Sequence, residues 1–205
     1  MMKSTTLLQK CSFDEISVLI NQALKAGADA DFGYDYIKDF EKRFEFSGRD
    51  TITTGWENMD KITGGGCGRG EIGVVIAPTG VGKSMVLVHL GATALKAGMT
   101  VVHYTLELRD TVIANRYDSC ITGIPLDELM DRKTEIRDFL KDIDGTLIVK
   151  EYPTKTATTN TIRAHLEKLK QQGIVPDMII VDYADLLRTL STRREKREEL
   201  ESIYE

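Results

Sequence analysis

Ala77-Pro-Thr-Gly-Val-Gly-Lys-Ser84 fits the phosphate-loop pattern G-x-x-x-x-G-K-[ST], with alanine in the place of the first glycine. Each residue type has a chemical reason to be there. Gly80 and Gly82 let the backbone curl into a nest whose N–H groups converge on phosphate oxygens. Lys83 brings a compact positive charge to the β- and γ-phosphates. Ser84 offers a hydroxyl to Mg²⁺. The amides from Thr79 through Val81 and on to Met85 complete the cradle, and the following helix turns its positive N-terminus to the same anion. The first position only ends the entering strand, so Ala77 costs the motif little. The ligand expected here is a nucleotide with Mg²⁺.

The flanks carry the context that the motif needs. Ile72–Ala77 (IGVVIA) reads as a short strand buried on both faces, and Ser84–Lys96 as an apolar helix closed by Gly98. Further strands are expected at Thr100–Tyr104, Thr146–Val149 and Met178–Val181. Helical patterns lie over about 110–142 and over Thr159–Gln172, the latter closed by Gly173. Strands alternating with helices predict an α/β fold, a mostly parallel sheet covered by helices. Upstream, Ser12-Phe-Asp-Glu15 has capping-box spacing before a helix that Gly27 ends, and Tyr36, Ile37, Phe40 and Phe44 suggest a second. Residues 1–50 thus form a helical segment ahead of a domain over 51–205.

The 205 residues are 41% hydrophobic, enough for a core, and the net charge of −5 excludes a uniformly basic nucleic-acid coat. No apolar run approaches the roughly 20 residues of a membrane span, and no signal peptide is evident. Three scattered cysteines without a CxxC argue against a disulfide framework or a zinc cluster, and His89, His103 and His165 suggest no metal site.

Hydrolysis needs carboxylates besides the loop. Asp182 ends the run MIIV, where an acid can hold Mg²⁺ directly or through water. The next residue is Tyr183, so the base for the attacking water must come from another strand. Glu107, just past TVVHYTL, stands at a carboxyl strand end, where ligands of open α/β sheets sit. Asp185 is the weaker rival, and each acid could also be an ordinary surface or capping group.

These features together resemble the ATPase domain of a DnaB-type replicative helicase, a RecA-like motor. The carrying residues are Thr54-Gly-Trp56, Met59-Asp60, Thr63-Gly-Gly65, Gly70-Glu-Ile72, Ala77–Ser84, Tyr104-Thr-Leu-Glu-Leu108, and Ile180-Val-Asp-Tyr183 with Leu186-Leu187. The resemblance implies a RecA-like P-loop core, Lys83 and Glu107 as catalytic residues, and Ser84 and Asp182 as magnesium ligands. It further implies a hexameric ring in the cytoplasm, ATP at subunit interfaces and single-stranded DNA in the channel. Primase or a helicase loader would be the protein partners. Residues 12–26 would be the linker helix docking on a neighbouring subunit, unless that helix packs on its own domain. Such motors carry another core strand, a sensor, DNA loops and an arginine finger after the Asp182 strand. Only 23 residues follow here, so the domain is expected to be incomplete at its C-terminus.

Arg193, Arg194, Lys196 and Arg197 occupy the position of the first channel-facing loop and are candidate DNA contacts. Glu195, Glu198, Glu199 and Glu201 interleave with them, so a solvated helix laced with ion pairs fits equally. Two other functions stay open: a RecA-like recombinase or clock or signalling ATPase, and a nucleotide-binding interaction module without catalysis. The absence of an Asn-Lys-x-Asp motif disfavours a GTPase.

Overall fold

The computed structural model describes residues 33–44, 49–189 and 203. The expected linker helix at 12–26 and the basic group Arg193, Arg194, Lys196 and Arg197 lie outside the described residues. The chain separates into two units, Met1–Gly48 and Arg49–Glu205.

In the first unit the helix expected around Tyr36–Phe44 is replaced by turns and a single 3₁₀ turn, Glu41–Arg43. Local aspartates bond the first amides of this stretch. Asp35 Oδ1 accepts from the amides of Ile37 and Lys38, and Asp39 Oδ2 accepts from the amide of Asp35. Such acceptors serve turns as readily as helix starts, and here the run closes turns rather than an α-helix.

The second unit begins with a two-stranded antiparallel ribbon, β1 (Thr51–Ile52) and β2 (Cys67–Gly68), enclosing helix α1 (Glu57–Thr63). Arg49 binds the ribbon's two ends together. It pairs with both carboxylate oxygens of Glu71 and donates to the carbonyls of Thr63 and Gly66. The Arg49 guanidinium beside it holds the Glu71 carboxyl down at about 2. The Thr54-Gly-Trp56 lead-in leans on the helix that follows the phosphate loop. Trp56 stacks on His89 at 4.0 Å between ring centroids, and His89 Nε2 donates to Thr54 O at 3.0 Å.

Helix α2 (Lys83–Lys96) leads into β3 (Thr100–Thr105), followed by α3 (Asp110–Thr122), α4 (Lys133–Lys141), β4 (Thr146–Glu151), α5 (Thr159–Gln171) and β5 (Met178–Asp182). The three longer strands form one parallel sheet in the order β4-β3-β5. Strand alternation divides the core between the two faces. Val101 joins Ile180, Val88, Ala92, Leu95, Ile113 and Tyr117 beneath α2 and α3, while Val102 and Tyr104 pack with Leu169 of α5. Helix α5 starts with a capping box between Thr158 and Thr161, a threonine-only version that the sequence reading passed over.

One expected strand is absent. Residues 72–77 form no strand and pair with none among the described residues, and Ile72 and Ile76 are 86% and 90% exposed. The physical reason is the sheet's extent. A parallel strand needs a neighbour for its backbone groups, and the described sheet ends at β5 with no strand bonded to its outer edge.

Gly91 allows α2 and α3 to approach closely. A Cβ at this position would overlap the Tyr117 hydroxyl, which is bonded to His103 Nδ1 at 3.0 Å in a fully buried pair. Gly91→Ala is therefore expected to cost about 1–3 kcal/mol, as overpacking does, and to lower the urea midpoint of unfolding. An unchanged midpoint would show that α2 and α3 can part without loss.

Candidate functional site

The phosphate loop occupies the turn from residue 79 into α2. Gly80 and Gly82 have φ of 83° and 106°, the left-handed region that glycine enters without strain. Gly82 is the N-cap residue of α2, and no side chain caps that end. Val86 N–H makes the first i→i−4 bond, to Gly82 O at 3.0 Å. Helix geometry therefore leaves the amides of Lys83, Ser84 and Met85 as end donors for an anion. Thr79, Gly80, Val81 and Met85 are exposed, and Gly82, Lys83 and Ser84 are half-buried, so the cradle opens outward.

The two acids stand at the carboxyl ends of neighbouring strands. Thr105 of β3 is in register with Asp182 of β5, and Leu106 N–H bonds to Asp182 O at 2.9 Å. Glu107 follows on an exposed bend. That bend is held by two threonines that the sequence reading did not single out. Thr105 Oγ1 donates to Leu108 O at 2.8 Å and accepts from Leu108 N–H at 3.2 Å, while Thr154 Oγ1 donates to Leu106 O at 2.8 Å. A hydroxyl at the last position of a strand is the signal that could have found Thr105, while Thr154 lies in the loop after β4 and carries no such signal.

Asp182 differs from Glu107 in its surroundings. It is 1% exposed, and its Oδ1 has no hydrogen-bond partner. Beside it, burial lowers His103 to about 4, with the Asp182 charge pulling the other way. A buried carboxylate oxygen left without a donor is costly unless something charged completes it. Mg²⁺ fits this need, since it usually takes one or two carboxylates, a hydroxyl and phosphate oxygens rather than an all-protein cage. Among the described residues no cluster of three His, Cys, Asp or Glu could hold a metal.

Asp185 falls in the 3₁₀ turn Ala184–Leu186, one step beyond the strand end. Its carbonyl accepts from Lys155 Nζ at 3.1 Å, and Leu187 O accepts from the same group at 3.2 Å. Lys155 thus pins the segment that leaves β5. The loop and the β5 end meet through a further contact. Lys83 Nζ sits 3.7 Å from the centroid of the Tyr183 ring.

Residues 51–205, which hold this whole arrangement, match the DnaB-like helicase C terminal domain family. The chain belongs to that family. It is 31% identical over 186 residues to a DnaB-like replicative helicase of Enterobacteria phage T4, covering 85% of this chain and 39% of the relative. To the replicative DNA helicase DnaB of Leifsonia xyli it is 28% identical over 156 residues, covering 72% and 33%. Two solved structures share the fold at TM-scores of 0.66 and 14% identity. One is a DnaB-like replicative helicase studied with its primase interactions, covering 93% of this chain and 49% of that one. The other is a separately solved ATPase domain, covering 86% and 65%. The fold is accordingly the RecA-like α/β fold. The chain spans about two fifths or less of the two relatives' length. Among the described residues no helix is long and apolar enough to cross a membrane.

Proposed function

We propose that this DnaB-like domain is a helicase motor that binds and hydrolyses MgATP to drive movement along single-stranded DNA and the unwinding of duplex. The observation that carries the reading is the meeting of the loop with the β5 end: Lys83 at the start of α2 lies against Tyr183, next to the buried Asp182 whose Oδ1 has no partner, and Glu107 stands on a clamped bend after the neighbouring strand β3. The amides from Thr79 to Met85 would hold the phosphates, and Lys83 would draw charge from the β- and γ-oxygens. Ser84 and Asp182 would hold Mg²⁺, which neutralises charge developing on the phosphates. Glu107 would orient the attacking water and take its proton.

In the wider proposal, residues 1–50 are a linker segment whose helix is the one expected at 12–26, and 51–205 are the ATPase domain. The domains assemble into a cytoplasmic ring, a hexamer, with single-stranded DNA in its channel. Arg193, Arg194, Lys196 and Arg197 are proposed as DNA contacts. Primase is a candidate partner because one structural neighbour is described with its primase interactions.

The test is ATP hydrolysis with and without single-stranded DNA at low salt, where phosphate contacts are strongest. The expected result is stimulation by DNA that fades as salt rises. Hydrolysis indifferent to DNA would replace the DNA motor with an ATPase serving a protein partner. Nucleotide binding without turnover in any assembly would leave an interaction module.

A further inference from the structure

We propose that Tyr183 is a positioning residue for the phosphate-binding lysine: its ring face holds the Lys83 ammonium at the mouth of the loop, preset for a nucleotide's phosphates. The proposal rests on the nucleotide-site reading above and adds to it a residue with no role in it so far. Lys83 Nζ lies 3.7 Å from the Tyr183 ring centroid, well inside the roughly 6 Å at which a cation and an aromatic face attract. Lys83 is half-buried in the first turn of α2, and Tyr183 is half-buried directly after β5, so two separate elements converge on this contact.

The choice of partner is chemically informative. The ion pairs among the described residues leave Lys83 out. A carboxylate at this point would neutralise the lysine and compete with phosphate for it. A ring face attracts the ammonium yet leaves its charge intact. An ammonium has three N–H donors, so one can point at the ring while two remain for phosphate oxygens. Holding the chain in place also removes rotamer freedom before the ligand arrives, which a long, flexible lysine would otherwise lose on binding. The backbone that carries the ring is anchored. Tyr183 follows the buried Asp182, and its carbonyl accepts from Leu186 N–H at 3.1 Å. One strand end therefore sets both the acid proposed for Mg²⁺ and the lysine proposed for phosphate.

The test measures ADP and ATP dissociation constants for the chain, Tyr183→Phe, Tyr183→Leu and Lys83→Ala, together with the NMR shift of the Lys83 Hε protons. Phenylalanine keeps the face and should stay within about twofold of the original affinity. Leucine removes it and should weaken both nucleotides by roughly two- to thirty-fold, the range of a cation–π contact. The Lys83 Hε signals should lie upfield in the chain without nucleotide and in Tyr183→Phe, and lose that shift in Tyr183→Leu. Loss of packing alone would not reproduce the rescue by phenylalanine together with that shift. Tighter binding by Tyr183→Leu would overturn the proposal, because the ring would then be competing with phosphate. So would unchanged binding, or ordinary Hε shifts in the unsubstituted chain, a readout that survives even if the leucine variant fails to fold. Failure of the unsubstituted chain to bind either nucleotide would instead overturn the nucleotide-site reading itself.

Discussion

Replacing Lys83 with alanine is expected to weaken ATP binding by roughly a hundredfold while leaving the fold intact. The first half follows from charge. A lysine placed for the β- and γ-phosphates makes charge-assisted bonds to both, each worth about 1.5–3 kcal/mol, and two at the lower bound already amount to about two decades of affinity. The loop amides and the α2 end would remain, so weak residual binding is expected. The second half follows from position. Lys83 opens α2 and is half-buried, and alanine is the best helix former, so the substitution leaves no buried polar group stranded. Titration with a fluorescent ATP analogue checks the affinity, and a urea melt checks the fold. Full-strength binding by Lys83→Ala would remove Gly80–Ser84 from the phosphate-binding role. Weak binding with an equal loss of stability would leave the role unproved and point to a packing function.

The parts of this molecule that were legible in the sequence are those decided locally. Strands β3, β4 and β5 were expected within two residues of where they run, because each is a short apolar or β-branched stretch between polar turns. Helices α2 and α5 were legible from their periodicity and their closing glycines, Gly98 and Gly173, both at positive φ. Asp182 and Glu107 could be placed at strand ends from the same boundaries. What was not legible depends on partners distant in sequence. Ile72–Ala77 has the composition of a buried strand, but composition cannot tell whether a neighbour exists to bond it, and among the described residues none does. The stretch around Tyr36–Phe44 is a separate, local case: Asp35 bonds the amides of Ile37 and Lys38 as a helix cap would, yet the run closes only turns and one 3₁₀ turn. The contact of Lys83 with Tyr183 joins residues about a hundred positions apart. The sequence contained the Asp-Tyr pair, and only the fold turns its ring toward the loop.

The site as a whole is built by clamping rather than by any single rigid element. Glu107 stands on a bend that the Thr105 and Thr154 hydroxyls close from two sides, and the segment after Asp182 is tied to Lys155. Thr154 and Lys155 both belong to the loop that follows β4, the strand farthest in the sheet from β5. That loop therefore ties the bend that carries Glu107 and the segment leaving β5 to one another.

Glu107→Gln is accordingly expected to keep ATP binding and to lose at least about a hundredfold in turnover. Glutamine preserves the size of the side chain and one acceptor oxygen, so the exposed bend has no reason to move, and the phosphate cradle lies on a different element. What disappears is the ability to take a proton from the attacking water, and general-base groups contribute typically about 10²–10⁴-fold. Asp185→Asn serves as the internal comparison, because Asp185 sits one turn farther from the strand end. Its turnover should fall by less than about threefold. The measurement is the steady-state hydrolysis rate at saturating ATP, in whatever assembly the unsubstituted chain needs for turnover, with the dissociation constant measured alongside. A large loss in Asp185→Asn with near-normal Glu107→Gln would transfer the base to the 3₁₀ turn after β5. A large loss in both, with binding kept, would indicate that the two acids share one water and that neither strand end acts alone.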